Sequence, residues 1–279
     1  MKPESVRGFT LVELLVVIAI IGVMVAMTIP AVQASRESGR RNLCRNNIAQ
    51  LLLAMQSYES AFEVFPPGVT NPDGPIRSEP KGLHQGWIIR LLPHLDEQVA
   101  FGMVDLSASV YDPANARARD YWPSLFICAS EPHDVRGASN YAGCHHDVES
   151  PIAEDNNGVL FLNSRIRRED ISDGAAHTFL IGEKRVSGDD LGWMSGTRAT
   201  LRNTGLAPND PATFGPEPTA GPTVSPTYVG PFASAHSGGV QMGFGDASVQ
   251  LIADTIDLKV WQQLANRADG SLVDLRFSD

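Results

Sequence analysis

The sequence predicts an α+β protein in which one long N-terminal α-helix, transmembrane and then amphipathic, packs on an antiparallel β-sheet head with long loops. Three observations predict it. From Phe9 to Ile29 every residue is apolar or small except Thr10, Glu13 and Thr28. Beyond that run, Cys44, Ile48, Leu51, Leu52, Met55, Tyr58 and Phe62 recur at helical spacing and form one apolar stripe. After Phe65-Pro66-Pro67-Gly68 the pattern changes to short apolar runs punctuated by Gly and Pro.

The first element is the apolar run. It holds about 21 residues, close to the roughly 20 that a helix needs to cross hydrocarbon. Residues 1–8 before it form a short polar leader with Lys2 and Arg7. Pro30 ends or kinks the span, which therefore covers 9–30. Residues 31–65 continue as the amphipathic stretch. A continuous helix from Phe9 to Phe62 is on the order of 80 Å long. Glu13 is the odd residue, because an acid at the centre of a membrane helix costs roughly 2.5–3.5 kcal/mol. Its position near one end lessens that cost, and a carboxylate there calls for a partner.

The head covers 66–279. Residues 66–86 read as loop, and Gly86 to Pro93 as a short apolar element. Ser124–Cys128, Gly158–Leu162 and Thr178–Glu183 read as strands, the last preceded by an Asp173-Gly174 turn. Residues 204–231 hold seven prolines and read as a Pro-rich surface excursion. Val240–Phe244 and Ser248–Ile252 alternate around a tight turn, which predicts a hairpin. Ile256, Val260 and Leu264 mark a short helix capped by Asp254 or Thr255. Asp269-Gly270 turns the chain into a last strand near Leu272–Leu275.

Charge and motifs bound the chemistry. The net charge of −10 and pI near 5.1 disfavour nucleic-acid binding, since an acidic chain repels phosphate. No G-x-S-x-G, H-E-x-x-H or phosphate-loop pattern occurs, and no enzymatic activity is expected. Cys44, Cys128 and Cys144 include no C-x-x-C pair. In an exported domain one disulfide and one free thiol is the simplest arrangement, and all three pairings are open. His145-His146-Asp147 beside Cys144 suggests a metal, but adjacent histidines point apart, so a solvated loop is expected. His236 and Asp246 could meet at the hairpin end in a charge-assisted bond, read as structural rather than catalytic. No cofactor is expected, calcium alone being left open.

Residues 8–30 resemble the N-terminal segment of type IV pilins and type II secretion pseudopilins. The resemblance implies cleavage by a prepilin peptidase between Gly8 and Phe9, and N-methylation of Phe9. It implies that Glu13 neutralises the free amine of a neighbouring subunit's Phe9. Pro30 falls where pilins carry a helix-bending proline. The competing reading, a secretory signal cut after Val32-Gln33-Ala34, fails on length, since such apolar cores run roughly 7–15 residues, and on Glu13. Counting Lys and Arg would put the four arginines Arg36, Arg40, Arg41 and Arg45 on the cytoplasmic side; the leader motif outweighs that count.

The rest of the chain resembles a large bacterial family that joins a prepilin-type N-terminus to a domain of unknown function with a C-terminal His-x9-Asp-Gly motif. The matching stretches are Cys44-Arg45-Asn46-Asn47, Phe65-Pro66-Pro67-Gly68, Phe126-Ile127-Cys128, Asn140-Tyr141, Ile171-Ser172-Asp173-Gly174, Gly182-Glu183 and His236 through Asp246. This resemblance favours a Cys44–Cys128 disulfide. Some pseudopilins hold calcium through C-terminal loop oxygens, but calcium needs about 6–8 oxygen ligands and no single loop here supplies them. Two positions depart from the pattern: Ala175-Ala176-His177 replaces small polar residues, and Ala247 replaces the Gly after Asp246. A type I′ turn at Asp246-Ala247 would force Ala to positive φ, so a type II′ turn at Gly245-Asp246 is expected instead.

The expectation is a pilin-like structural subunit of a type IV pilus-like or type II secretion pseudopilus-like assembly. Its partners would be the prepilin peptidase/methyltransferase, other pilin-like subunits and the bacterial inner membrane. It would cross that membrane once, with its head exported to the periplasm or cell surface. The alternative is a membrane-tethered binding module that never polymerises.

Overall fold

A computed structural model describes residues 9–131, 135–210 and 225–271. The leader with Gly8, the expected strand at Leu272–Leu275 and the middle of the Pro-rich excursion lie outside the described residues. Helix α1 runs from Leu11 to Phe62 and contains Pro30. Pro30 thus does not end the helix. It lacks an N–H for the preceding turn, and just before it the Thr28 hydroxyl donates to the carbonyl of Val25 at 3.1 Å. The chain divides into two compact units, Met1–Asn42 and Leu43–Asp279.

In the first unit, the apolar side chains from Phe9 to Val32 are exposed. By length and composition α1 could cross a membrane: its most apolar stretch has a mean hydropathy of 2.7.

In the second unit, Cys44, Ile48, Leu51, Leu52, Ala54 and Met55 of α1 are buried. The expected stripe therefore packs through Met55. Tyr58 is half-buried, whereas Phe62, at its end, is 57% exposed. The sheet has five strands in the order β5-β3-β4-β6-β7. They are β3 (Tyr141–His146), β4 (Phe179–Glu183), β5 (Leu201–Asn203), β6 (Gly239–Phe244) and β7 (Val249–Ala253). Neighbours are antiparallel except β3 and β5, which run parallel, so the sheet is mixed. A separate two-stranded ribbon joins β1 (Val69–Thr70) to β2 (Gln85–Gly86) within the stretch expected to be loop. The short helices are α2 (Trp87–Leu91), α3 (Gln98–Phe101), α4 (Ala116–Asp120) and α5 (Leu258–Gln263).

Apolar side chains gather in two clusters, on opposite faces of the sheet. One joins Ile48, Leu51, Leu52 and Met55 to Tyr141, Leu180, Ile181 and Trp87. The other joins Phe179, Val240, Met242 and Phe244 to Trp261 and Leu264. The period-two alternation of a strand produces this split: Tyr141 faces one cluster and Ala142 the other. Close approach of α1 needs a glycine at position 243. A Cβ there would stand 2.7 Å from Leu52 Cδ1 and 2.9 Å from Ile48 Cγ2.

Several expected elements differ. Ser124–Phe126 is a single 3-10 turn rather than a strand, entered from Pro123. Gly158–Leu162 forms no ladder; its Leu162 makes an isolated bridge with Val69. The C-terminal helix starts later than expected, with Asp257 as its cap: its carboxylate accepts from the N–H of Lys259 and of Val260. The β6–β7 hairpin forms, but not through a II′ turn. Ala247 donates its N–H to Phe244 O, and Phe244 N–H donates to Ser248 O. Ala247 itself takes φ +70°. This is a three-residue loop with a left-handed residue at its end, a place glycine usually fills.

Candidate functional sites

The N-terminal site begins with Thr10 and Glu13. Thr10 stands at the start of α1 and Glu13 three residues on. The Thr10 N–H and hydroxyl each donate to Glu13 Oε2 at 2.8 Å, and the Glu13 N–H faces Thr10 Oγ1 at 3.3 Å. That is a capping box, in which side chains satisfy the N–H groups a helix start leaves over. The pattern Thr10-x-x-Glu13 is legible in sequence, yet the reading above treated Glu13 only as an assembly group. Within one chain the carboxylate already has local partners. Phe9, just before the box, is 71% exposed.

The second site lies inside the head and gathers residues far apart in sequence. Cys44 comes from α1, Cys128 from the segment after the 3-10 turn, Glu183 from the end of β4, and His236 from the approach to β6. All four are buried, and one ligand atom from each lies within 4.8 Å of the others. Cys44 Sγ and Cys128 Sγ are 3.1 Å apart, and both are free thiols. His236 Nε2 is 3.5 Å from Cys128 Sγ and 3.6 Å from Glu183 Oε1.

The shell around the four is well made. Asn140 Oδ1 accepts from the Cys128 N–H at 2.8 Å, fixing the segment that carries the thiol. Glu183 Oε2 accepts from the Gln241 N–H at 3.0 Å. The other oxygen, Oε1, is buried and has no hydrogen-bond donor among the described residues. Burial pushes the Glu183 carboxyl up to about 7, against the Gln241 N–H and the Ser234 hydroxyl, which favour its ionised form. The Cys44 thiol is held below the ordinary thiol range by the hydrogen bond with Cys128, against burial, with help from His236. Cys128 is pushed up, first by Cys44 and then by burial. One thiolate is thus readily formed, and a second is opposed by the charge of the first.

The expected His236–Asp246 pair does not form. The six residues of β6 lie between them, so they stand at opposite ends of a strand about 17 Å long. Asp246 serves the hairpin turn instead, accepting from the Ser248 N–H at 2.9 Å. Cys44 and Cys128 do come together, as the resemblance implied, though without a bond between their sulfurs. Cys144-His145-His146 is not a solvated loop but the last half of β3. His145 is fully buried, with Nδ1 3.1 Å from Asn156 Oδ1, and burial lowers it to about 3. His146 turns the other way, to Asp147 at 2.7 Å. Glu183 is the member that sequence reasoning missed as a site residue. Its signal was an acid closing the otherwise apolar run Phe179–Glu183. Elsewhere a cleft of about 390 Å³ is lined by Tyr111, Arg119, Arg136 and Asp190, and Asp190 is already paired with buried Lys184 at 2.5 Å.

Comparison with known proteins gives two family matches. Residues 5–29 match the prokaryotic N-terminal methylation motif. Residues 33–259 match the family described as protein of unknown function (DUF1559). The chain belongs to the DUF1559 family. The second site lies wholly within the DUF1559 match, and Phe9 and Glu13 lie within the methylation motif. The DUF1559 chain is also similar to two curated relatives. Type II secretion system core protein G of Vibrio cholerae serotype O1 (strain ATCC 39315 / El Tor Inaba N16961) is 29% identical over 99 residues, 33% of this chain and 66% of that protein. Type II secretion system core protein G of Pectobacterium carotovorum subsp. carotovorum is 31% identical over 94 residues, 31% of this chain and 59% of that protein. Each match spans less than two thirds of the relative's own length. No solved structure matches significantly.

Proposed function

We propose that this chain is a structural subunit of a pseudopilus-like or pilus-like assembly, anchored in the bacterial inner membrane with its head exported. The observation that carries the reading is a prepilin-type motif opening a helix whose first half is apolar and exposed. An apolar helix face of that length has two stable surroundings, lipid and other copies of the same helix. The similarity to core protein G of two type II secretion systems supports the same reading.

In this reading a prepilin peptidase cuts between Gly8 and Phe9 and the new Phe9 amine is methylated. Glu13, held by Thr10 in the single chain, then faces the Phe9 amine of a neighbouring subunit. Each charge alone is costly in an apolar setting, and pairing them offsets that cost. The reading assigns no catalytic role to the head.

Intact mass, cross-linking in cells and head unfolding test it together. The mature chain should lack residues 1–8 and carry one added methyl. Gly8→Val should leave the leader attached. Glu13→Ala should lose cross-linked oligomers while its head unfolds as in the parent. Normal oligomers from Glu13→Ala would overturn the assembly role. Monomers alone from the parent chain would favour a tethered, non-polymerising module instead.

A further inference from the structure

We propose that Cys44, Cys128, Glu183 and His236 form a buried tetrahedral site for a zinc-class divalent cation. The donor set is two thiols, one imidazole nitrogen and one carboxylate oxygen, all of them ligands that zinc takes in four-coordinate sites. Their ligand atoms lie within 4.8 Å of one another, and each residue is buried. They come from four segments of the second unit, so an ion here ties the Cys44 end of α1 to the sheet.

The carboxylate is the second, independent observation. Glu183 is 2% exposed. Its Oε2 is fixed by the Gln241 N–H, and Oε1 is turned toward the cluster with no donor. A buried acceptor without a partner costs about 1–3 kcal/mol, and more when charged. The neighbouring cation of the chain, Lys184, does not supply the deficit, since it pairs with Asp190. A cation among the four ligands would supply it. The Gln241 N–H then acts as the outer hydrogen bond that orients a metal-bound carboxylate.

The sulfur spacing admits two outcomes, and the rest of the site chooses between them. On tetrahedral zinc, two sulfurs at about 2.3 Å from the ion stand about 3.8 Å apart. In a disulfide they stand about 2.05 Å apart. The observed 3.1 Å lies between these values. A disulfide would use the thiols and leave Glu183 Oε1 as it is, 3.6 Å from His236 Nε2, beyond hydrogen-bond reach. A metal ion uses all four groups. Binding needs both sulfurs as thiolates, the carboxylate ionised and the imidazole neutral, so any proton these groups still hold is released to solvent. The site is independent of the assembly reading, because every ligand lies in the second unit, beyond the apolar half of α1.

Cobalt is the probe. The full chain, purified in detergent, reduced and stripped with chelator, is titrated with cobalt(II) and then with zinc. About one equivalent should bind, with an intense sulfur-to-cobalt charge-transfer band that zinc bleaches. The Cys44→Ser/Cys128→Ser double variant should remove the band, Glu183→Gln should weaken binding at least about tenfold, and Cys144→Ser should change neither. Glu183→Gln keeps size and hydrogen-bonding capacity, so it decides the matter even where a cysteine variant fails to fold. A reduced chain that takes up no cobalt overturns the site, whatever the thiol state of the purified protein. So does a band that survives the loss of both Cys44 and Cys128, or cobalt affinity unchanged in Glu183→Gln.

Discussion

The two halves of α1 share one secondary structure and have opposite surroundings. From Leu11 to Val32 the helix presents apolar side chains on every side, and they are exposed. From Cys44 to Met55 the apolar side chains concentrate in one stripe, which is buried against the sheet. Leu53, on the opposite side of that stretch, is 63% exposed. A helix that is apolar all round needs an apolar surrounding all round, whereas an amphipathic one completes its burial within a single head. The first half therefore carries information about partners, and the second about stability. The same contrast separates their charged groups. Among the described residues, Glu13 has only the local bonds of a helix cap. Glu183 sits inside a constellation already drawn from four segments.

Truncating one leucine in each half tests that contrast most strongly. Leu52 is fully buried, and its Cδ1 lies in the tight approach to Gly243. Leu52→Ala should destabilise the head by about 2–5 kcal/mol, through lost transfer energy and the cavity left behind. Leu15 is 56% exposed, and Leu15→Ala should leave head unfolding unchanged. Denaturant unfolding of the full chain in detergent, followed by tryptophan fluorescence, measures both. Equal losses from the two variants would mean that the division of labour within α1 is wrong.

The sequence made the first half nearly transparent and the cluster nearly opaque, for physical reasons. The apolar run and the Glu13 position are local patterns, readable within about twenty residues. The stripe from Cys44 to Met55, strand β4 and the β6–β7 hairpin are also local periodicities. Strand β3 was hidden because all of Tyr141–Cys144 is buried and the run ends in two histidines, which erases the period-two signal. Strand β5 has three residues, too few for any period. Ser124–Cys128 looked like a strand by composition, but Pro123 before it starts a turn. The Cys44–Cys128–Glu183–His236 constellation depends on long-range pairing, which no local pattern encodes. Its members did fall in four separate stretches that carried the family resemblance, and only the fold shows that these stretches converge.

A pH series sharpens the difference between a titratable group enclosed in the head and one left exposed on α1, such as Glu13. His145 is fully buried and lowered to about 3, mainly by desolvation. In the unfolded chain a histidine binds its proton near pH 6.5. Between those values the unfolded state holds a proton that the folded state refuses, so stability falls as pH falls. The loss is about 1.4 kcal/mol per pH unit below 6.5. Glu183, raised to about 7, acts in the opposite direction. The readout is therefore the difference between the parent and His145→Gln, which keeps a polar group facing Asn156. From pH 7 to 4.5 that difference should shift by about 2–3 kcal/mol in favour of the variant. A difference that stays constant with pH would mean His145 is not held neutral.

The smallest expected effect lies at the hairpin, and it has the opposite sign. Ala247 sits at φ +70°, where an L side chain crowds the following carbonyl. The loop holds it there because the alternatives cost more. Gly245 cannot easily move, since a Cβ on it would already stand 2.9 Å from the Ala175 carbonyl oxygen. The Asp246 N–H is bound to that same carbonyl at 3.1 Å. With Gly245 and Asp246 both tied to the turn before β4, the left-handed residue must be the third of the loop. Ala247→Gly should therefore stabilise the head by about 1 kcal/mol, after the entropy that glycine adds to the unfolded chain is subtracted from the strain relieved. Unfolding midpoints of the two proteins, compared at equal denaturant slope, read the change. A loss of stability would show that the packing of the Ala247 methyl against the α1-side cluster outweighs its backbone strain.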